Sequence, residues 1–199
     1  MRKGTSLQTF LFMDLVGFTA LTAEQGDDSA ADVALSLYAS VRRLLPDHGG
    51  EEIKTIGDAM MLRCEDPSHA VELGLRISEE LEEQPSYPPV RVAVHTGSAV
   101  SRDGDWYGSA VNIASRLCSA AGGGEVLVSD TTRVAAVSLH DVDYGARQLH
   151  WLKNVPEPVV AHAAIRRECA APRQRFTKLT KLTRRAPTGF GRRPSEVTG

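Results

Sequence analysis

The sequence has few cysteines, few aromatic residues and no long hydrophobic run. Three of its 199 residues are cysteine and 6% are aromatic. Because Cys64, Cys118 and Cys169 are odd in number and widely spaced, they argue against a disulfide framework or a zinc site. They favour free thiols in a reducing compartment, which predicts a cytoplasmic location. No run of about 18 apolar residues occurs, so we expect no transmembrane segment. The apolar stretch near the N-terminus is short and meets Asp14, which argues against a signal peptide.

Charge is divided unevenly along the chain, although the net charge is only -2. Residues 1–165 contain 13 basic and 23 acidic residues, whereas residues 166–199 contain 10 basic and 2 acidic ones. An acidic body is a poor non-specific binder of nucleic acid, because it repels the phosphate backbone. The C-terminal part has a composition typical of disorder. The sequence therefore predicts one domain over 1–165 and a basic, disordered tail over 166–199, with docking of the tail on an acidic surface as the alternative.

Short apolar strands alternate with amphipathic helices along the predicted domain. Strands are expected at 8–14, 51–56, 59–64 and 90–96, and helices at about 27–46, from 67 onward and at about 109–120. The β-α-β-β-α-β order predicts an α+β fold, an α/β sandwich with a ferredoxin-like core. We expect a mixed, mainly antiparallel sheet with helices on one face. The other face of the sheet then requires a partner or a ligand.

Two aspartates lie where this fold brings chain segments together. Asp14 ends a very apolar strand, and Asp58 follows Gly57 at the tip of a predicted β-hairpin. Paired carboxylates suit Mg²⁺, which proteins hold through one or two carboxylates together with substrate phosphates. Two such ions can hold the attacking and leaving oxygens of a phosphoryl transfer. The alternative for each aspartate alone is an ordinary turn or capping residue.

Other polar side chains interrupt apolar patterns. Asn112 and Arg116 are four residues apart on a predicted helix, so they share a face and suit the binding of an oxyanion, unless that face is merely solvated. Arg91 lies on the strand face opposite three valines and suits a phosphate. Lys54 lies inside an otherwise apolar strand, and Asp105 lies in a glycine-containing loop. No GxxxxGK[ST] motif occurs, which excludes a P-loop enzyme.

Five segments in order identify a family. The segments are FMDLVGFTALT, EEIKTIGDAMM, VRVAVHTGSAV, GDWYGSAVNIASRL and LKNVPEPV. Together they resemble the catalytic domain of class III nucleotidyl cyclases over roughly residues 7–165. The resemblance is greatest to the single-domain bacterial adenylyl cyclases that are common in actinobacteria. It implies an enzyme that converts ATP to 3′,5′-cyclic AMP and pyrophosphate.

The resemblance also implies which residues bind metal and phosphate. Asp14 and Asp58 match the family's metal ligands, joined by the backbone carbonyl of Leu15, and would hold two Mg²⁺ or Mn²⁺ ions per active site. Phe18 and Thr19 match the turn around the triphosphate.

Two further matches concern the same triphosphate. Arg91 and Lys153 correspond to side chains that contact it. One departure is Asn154, because the family usually has glycine after that lysine.

The remaining matches concern the base and the transition state. Lys54 and Asp105 match the pair that selects the purine, and the combination of lysine with aspartate implies adenine. Asn112 and Arg116 match the residues that orient the ribose and stabilise charge on the α-phosphate. The resemblance further implies a head-to-tail homodimer, in which the metal aspartates of one chain face the base-selecting and transition-state residues of the other.

Three alternatives remain from the sequence. A non-catalytic nucleotide-binding module of the same fold would be expected to lack some of these residues. A guanylyl cyclase is disfavoured by Lys54. A diguanylate cyclase is suggested by the segment 49–52, Gly-Gly-Glu-Glu, which is similar to the hairpin motif of that family. It is disfavoured because the hairpin tip of this chain is at Gly57 and Asp58, six to nine residues later.

Overall fold

A computed structural model describes residues 6–84 and 87–167 of the chain. The strands are β1 (Ser6–Leu15), β2 (Gly50–Ile56), β3 (Ala59–Cys64), β4 (Val90–Arg102), β5 (Asp105–Tyr107), β6 (Val126–Ser129), β7 (Val142–Tyr144), β8 (Gln148–His150) and β9 (Val159–Arg166). The helices are α1 (Phe18–Gln25), α2 (Asp27–Leu44), α3 (Pro67–Glu82), α4 (Ser109–Ala120) and α5 (Asp130–Ala135), with a 3₁₀ turn at Pro46–His48. The predicted tail lies outside the described residues, apart from Arg166 and Arg167.

The strands form one mixed, mainly antiparallel sheet in the order β2-β3-β1-β4-β6-β9-β7. Strand β1 pairs antiparallel with both β3 and β4, whereas β4 pairs parallel with β6. The first four strands of that order, with α2 and α3 as connections, are the ferredoxin-like core. The predicted fold class is therefore confirmed.

Local sequence signals set the ends of the helices. Asp66 caps α3, because its carboxylate accepts a hydrogen bond of 2.6 Å from the backbone N–H of Ser68, and Pro67 takes the first helical position. Helix α2 ends at Leu44, two residues earlier than predicted, before Pro46, which has no N–H to continue the helix. Within the described residues, no helix is long and apolar enough to cross a membrane.

Alternation along β1 divides the core into two layers. Leu11, Met13 and Leu15 face one side of the sheet and pack with α2 and α3. Phe10 and Phe12 face the other side and pack with α4. Each layer is a separate cluster of buried apolar side chains, so the sheet is the middle of the sandwich.

The expectation of helices on one face requires a correction for α4. This helix packs on the face opposite α2 and α3 through Ala110, Ala114 and Leu117, which are almost fully buried. The approach is close, because a Cβ atom on Gly97 of β4 would lie 3.0 Å from the Cβ of Ala110. The physical reason is the stripe of small side chains on α4, which lets the helix approach Gly97 closely and bury its apolar surface against the sheet. Helix α4 thus covers part of the face that the sequence left open.

Candidate active site

The two predicted metal aspartates lie together at one edge of the sheet. Asp14 is the penultimate residue of β1, and Asp58 lies in the turn between β2 and β3, where Gly57 has a φ of +62°. The two carboxyl groups are close enough for Asp14 to act on the ionisation of Asp58. Partial burial and the neighbouring Asp14 raise the pKa of Asp58 to about 6. The chain therefore holds two acidic groups closer than their charges favour.

Arg91 is paired with Asp14 across two neighbouring strands. The register of β1 and β4 places the two residues opposite one another. The Arg91 Nε donates to Asp14 Oδ2 at 2.9 Å, Nη2 donates to the same oxygen, and Nη1 donates to the carbonyl of Ser119 at 3.1 Å. The predicted contact of Arg91 with a triphosphate stays a prediction, and it requires the guanidinium to leave or share Asp14.

The predicted base-selecting pair is joined by an ion pair. Lys54 Nζ of β2 lies 2.6 Å from Asp105 Oδ2 of β5, and the other Asp105 oxygen accepts from the backbone N–H of Trp106 at 2.8 Å. The Lys54 ammonium holds the pKa of Asp105 below its usual value. Trp106 fixes this hairpin to the sheet through an edge-to-face contact with Phe10, with ring centroids 5.8 Å apart.

The predicted transition-state residues lie one turn apart on α4. Asn112 is exposed, whereas Arg116 is partly buried. The Arg116 Nη1 atom is fully buried and has no hydrogen-bond partner among residues 6–84 and 87–167. A buried guanidinium nitrogen without a partner is costly, so it is suited to an oxygen from elsewhere.

The predicted phosphate-contact residues lie in two turns. Gly17, with a φ of +84°, precedes Phe18 and Thr19, which begin α1. Phe18 packs against the core beside α2, and Thr19 is exposed. The N-terminus of α1 has no side-chain cap, so its free N–H groups are available to an anion.

The second of these turns follows Leu152. Lys153 is exposed there, and Asn154 has a φ of +57°. This left-handed conformation explains the departure at Asn154, because asparagine is among the few residues that replace glycine there with little strain.

Comparison with known proteins places these features in a family. The sequence profile described as "Adenylate and Guanylate cyclase catalytic domain" matches residues 3–149, which is most of the chain. The chain belongs to this family. A pH-sensitive adenylate cyclase of Mycobacterium tuberculosis is 40% identical over 140 residues, which cover 70% of this chain and 35% of that protein. An adenylate cyclase of Streptomyces coelicolor is 34% identical over 117 residues, which cover 59% of this chain and 31% of that protein. The chain thus spans about a third of the length of these relatives.

Solved cyclase structures share the fold. The adenylyl cyclase CyaB from P. aeruginosa superposes with a TM-score of 0.70 at 22% identity, covering 81% of this chain and 96% of that one. The adenylate/guanylate cyclase/hydrolase from Silicibacter pomeroyi gives a TM-score of 0.71 at 24% identity, covering 81% of this chain and 98% of that one. At these identities the likeness establishes the α+β cyclase fold and nothing finer.

The cyclase family uses divalent metal ions, and the side chains here fit such ions. Asp14 and Asp58 supply hard oxygen ligands, and burial together with the neighbouring Asp14 carboxyl raises the pKa of Asp58. No group of three or more candidate ligands of the His, Cys, Asp or Glu type occurs in the described parts of this cyclase domain. Two carboxylates without a third ligand suit Mg²⁺ or Mn²⁺, which take phosphate oxygens as further ligands.

Sequence reasoning missed one residue beside this site. Tyr38 of α2 is buried, and its hydroxyl donates a hydrogen bond to the carbonyl of Gly57, the residue before Asp58. The only sequence signal is its place next to Leu37 on the buried face of α2. That place alone predicts a core residue and says nothing about the hairpin.

Proposed function

We propose that this chain is an adenylyl cyclase domain that converts ATP to 3′,5′-cyclic AMP and pyrophosphate. The observation that carries the proposal is the pairing of Lys54 with Asp105 at 2.6 Å. A donor beside an acceptor complements the edge of adenine, where N1 accepts and the N6 amine donates a hydrogen bond. Lysine and aspartate together therefore favour ATP over GTP.

The proposed active site is shared between two copies of the chain in a head-to-tail homodimer. Three features support this arrangement. Asn112 is exposed, Arg116 Nη1 lacks a partner within the described parts of the chain, and no hydrogen bond there joins Lys54 or Asp105 to the Asp14–Asp58 cluster. A twofold dimer would place the aspartates of one copy opposite the base-selecting residues of the other, giving two equivalent sites.

Each protein group has a defined task in the proposed reaction. Lys54 and Asp105 hold the adenine, and Asn112 orients the ribose so that its 3′-oxygen faces the α-phosphorus in line. Arg116 stabilises the negative charge that develops on the α-phosphate oxygens. The reaction forms the bond from the 3′-oxygen to the α-phosphorus, breaks the bond from that phosphorus to the departing pyrophosphate, and releases the 3′-hydroxyl proton.

Other groups act on the triphosphate and its metal ions. Arg91 and Lys153 neutralise the pyrophosphate, and the N–H groups at Phe18 and Thr19 bind its oxygens. Asp14, Asp58 and the Leu15 carbonyl would hold two Mg²⁺ or Mn²⁺ ions, which supply charge neutralisation and an acidified 3′-hydroxyl when bound. Arg91 is paired with Asp14 in the structure. When the substrate binds, Arg91 would exchange this carboxylate for the phosphate oxygens.

The direct test is to incubate the pure protein with Mn²⁺ and either ATP or GTP and to identify the product by mass. We expect cyclic AMP from ATP and little cyclic GMP. Predominant cyclic GMP would support a guanylyl cyclase instead, and nucleotide binding without any cyclic product would support a non-catalytic module.

A further inference from the structure

We infer that Tyr38 is a positioning residue that holds the Asp58 turn in the geometry needed to bind metal. This inference rests on the proposed role of Asp58 as a metal ligand. The Tyr38 hydroxyl bonds to the Gly57 carbonyl, so Tyr38 would act through the turn that carries Asp58.

The contact reaches the tip of the hairpin directly. The Tyr38 hydroxyl donates to the backbone carbonyl of Gly57, and the ring is 6% exposed. Gly57 has a φ of +62°, a conformation that a residue with a side chain rarely adopts. The hydrogen bond thus fixes the peptide group that leads into Asp58.

The surrounding packing leaves this task to Tyr38. Two cavities are relevant to the comparison. The first, of about 520 Å³, lies against His95 and far from the turn in sequence; the second, of about 380 Å³, lies between α1, α2 and Gly57. Besides Tyr38, the α2 side chains that line the second cavity are three alanines, Asp27 and Leu35, and in the part of the chain that the structure describes none of these forms a hydrogen bond to the turn. Among the described residues, Tyr38 makes the side-chain hydrogen bond between α2 and this turn.

Electrostatics gives the turn a reason to move. Asp14 and Asp58 are neighbouring carboxylates, and like charges at short range repel one another. A two-residue turn beside a cavity can relieve the repulsion by shifting away from Asp14. A hydrogen bond to Gly57 opposes that shift before any metal ion is bound.

Tyr38 is itself held in place. The Arg42 guanidinium lies 5.8 Å from the centre of the Tyr38 ring, and Glu52 of β2 accepts hydrogen bonds of 2.6 and 2.8 Å from Arg42. Helix α2 is therefore tied to the β2–β3 hairpin both at its base and at its tip. The attachment at the tip is the single hydrogen bond of the Tyr38 hydroxyl.

The test is Tyr38→Phe, which keeps the ring and removes the hydroxyl. We expect Mn²⁺ affinity, measured by electron paramagnetic resonance without nucleotide, to fall roughly threefold to tenfold, the value of one ordinary hydrogen bond. We also expect faster amide hydrogen exchange in residues 56–59. Both measurements use the intact chain and neither depends on turnover.

A matched control is Tyr87→Phe. The Tyr87 hydroxyl lies 2.6 Å from Ser36 Oγ, so this change also removes a tyrosine hydrogen bond to α2, but on a side chain that makes no bond to the hairpin. We expect wild-type Mn²⁺ affinity and wild-type exchange at 56–59 from the control.

Two outcomes would overturn the inference in different ways. If Tyr38→Phe matches Tyr87→Phe in Mn²⁺ affinity and in exchange while Asp58→Asn weakens Mn²⁺ binding, Tyr38 does not position the turn. If Asp58→Asn leaves Mn²⁺ binding unchanged, the metal role fails and the inference fails with it. The product assay on wild-type protein then decides separately whether the chain is a cyclase.

Discussion

Two acidic residues of this molecule, Asp58 and Asp105, lie in opposite electrostatic settings. Asp58 lies beside another carboxylate and has a pKa raised to about 6. Asp105 lies 2.6 Å from the Lys54 ammonium, which lowers its pKa. The same side-chain type therefore has a carboxyl group as its neighbour at one end of the candidate site and an ammonium group at the other.

The difference indicates what each end is suited to bind. The Asp14–Asp58 cluster gains from an added cation, because a divalent ion relieves the repulsion between the carboxylates. The Lys54–Asp105 pair gains nothing from a bare ion and must exchange its internal bond for bonds to a ligand of matching polarity. We therefore expect metal binding to stabilise the fold. Binding of the base is expected to replace the Lys54–Asp105 bond by a similar number of hydrogen bonds to the ligand, so its effect on stability should be small.

The largest expected effect comes from a substitution in the Asp14–Asp58 cluster. Asp58→Asn removes a charged metal ligand, so we expect turnover with Mg²⁺ or Mn²⁺ to fall on the order of 100-fold or more. Steady-state assays on the purified variant measure this effect. Asp47→Asn changes an exposed aspartate in the 3₁₀ turn and serves as the control. Near-wild-type turnover by Asp58→Asn would contradict the metal assignment.

The next largest effect comes from substitutions in the Lys54–Asp105 pair. Lys54→Glu together with Asp105→Gly replaces the donor by an acceptor and removes the partner, so we expect the ratio of ATP to GTP turnover to fall by at least about tenfold. The specificity constants for both nucleotides, measured side by side, give the ratio. A ratio equal to that of the wild type would show that these two residues do not select the purine.

A mixing experiment tests whether the two ends belong to different chains of one site. Asp58→Ala and Asn112→Ala chains are each expected to be inactive alone. In an equal mixture half of the dimers are mixed, and each has one intact site, so we expect about a quarter of wild-type activity. Differently tagged chains confirm that mixed dimers form. Confirmed mixed dimers without activity would argue for sites within single chains.

The smallest effect concerns stability. Because the pKa of Asp58 is raised from 3.8 to about 6, the folded chain binds this proton more tightly than the unfolded chain. The contribution of this group to the free energy of unfolding is therefore full below about pH 4 and lost as the pH rises through about 6. Asparagine does not titrate, so Asp58→Asn removes this pH-dependent loss of stability.

We therefore expect Asp58→Asn to raise the melting temperature by a few degrees above pH 6 in metal-free buffer, and not below pH 4. Thermal melts across this range measure the difference. An equal difference at every pH would show that the titration of Asp58 is not its cause.

The sequence was sufficient for the parts of the site that local patterns determine. Asp14 at a strand end and Asp58 at a hairpin tip follow from hydrophobic runs and a glycine-containing turn, and the predicted helix 109–120 matches α4. The family resemblance then supplied roles for these residues. These roles stay predictions.

Other features depend on contacts between distant segments. The pairing of Arg91 with Asp14 requires the register of two strands 77 residues apart. The placement of α4 on the second sheet face depends on how small side chains fit against β4. The bond from Tyr38 to Gly57 depends on where a helix lies over a turn. No periodicity or motif reports such distances.

Trp106 gives the base-selecting hairpin an intrinsic optical reporter. Its indole adjoins Asp105, lies edge-on to Phe10 and is 5.2 Å from the Arg63 guanidinium, so its emission depends on how this hairpin packs. The other tryptophan, Trp151, is 77% exposed, so we expect it to emit at longer wavelength. Fluorescence at the shorter wavelengths therefore follows rearrangement of the hairpin in unlabelled, native protein as it meets a nucleotide.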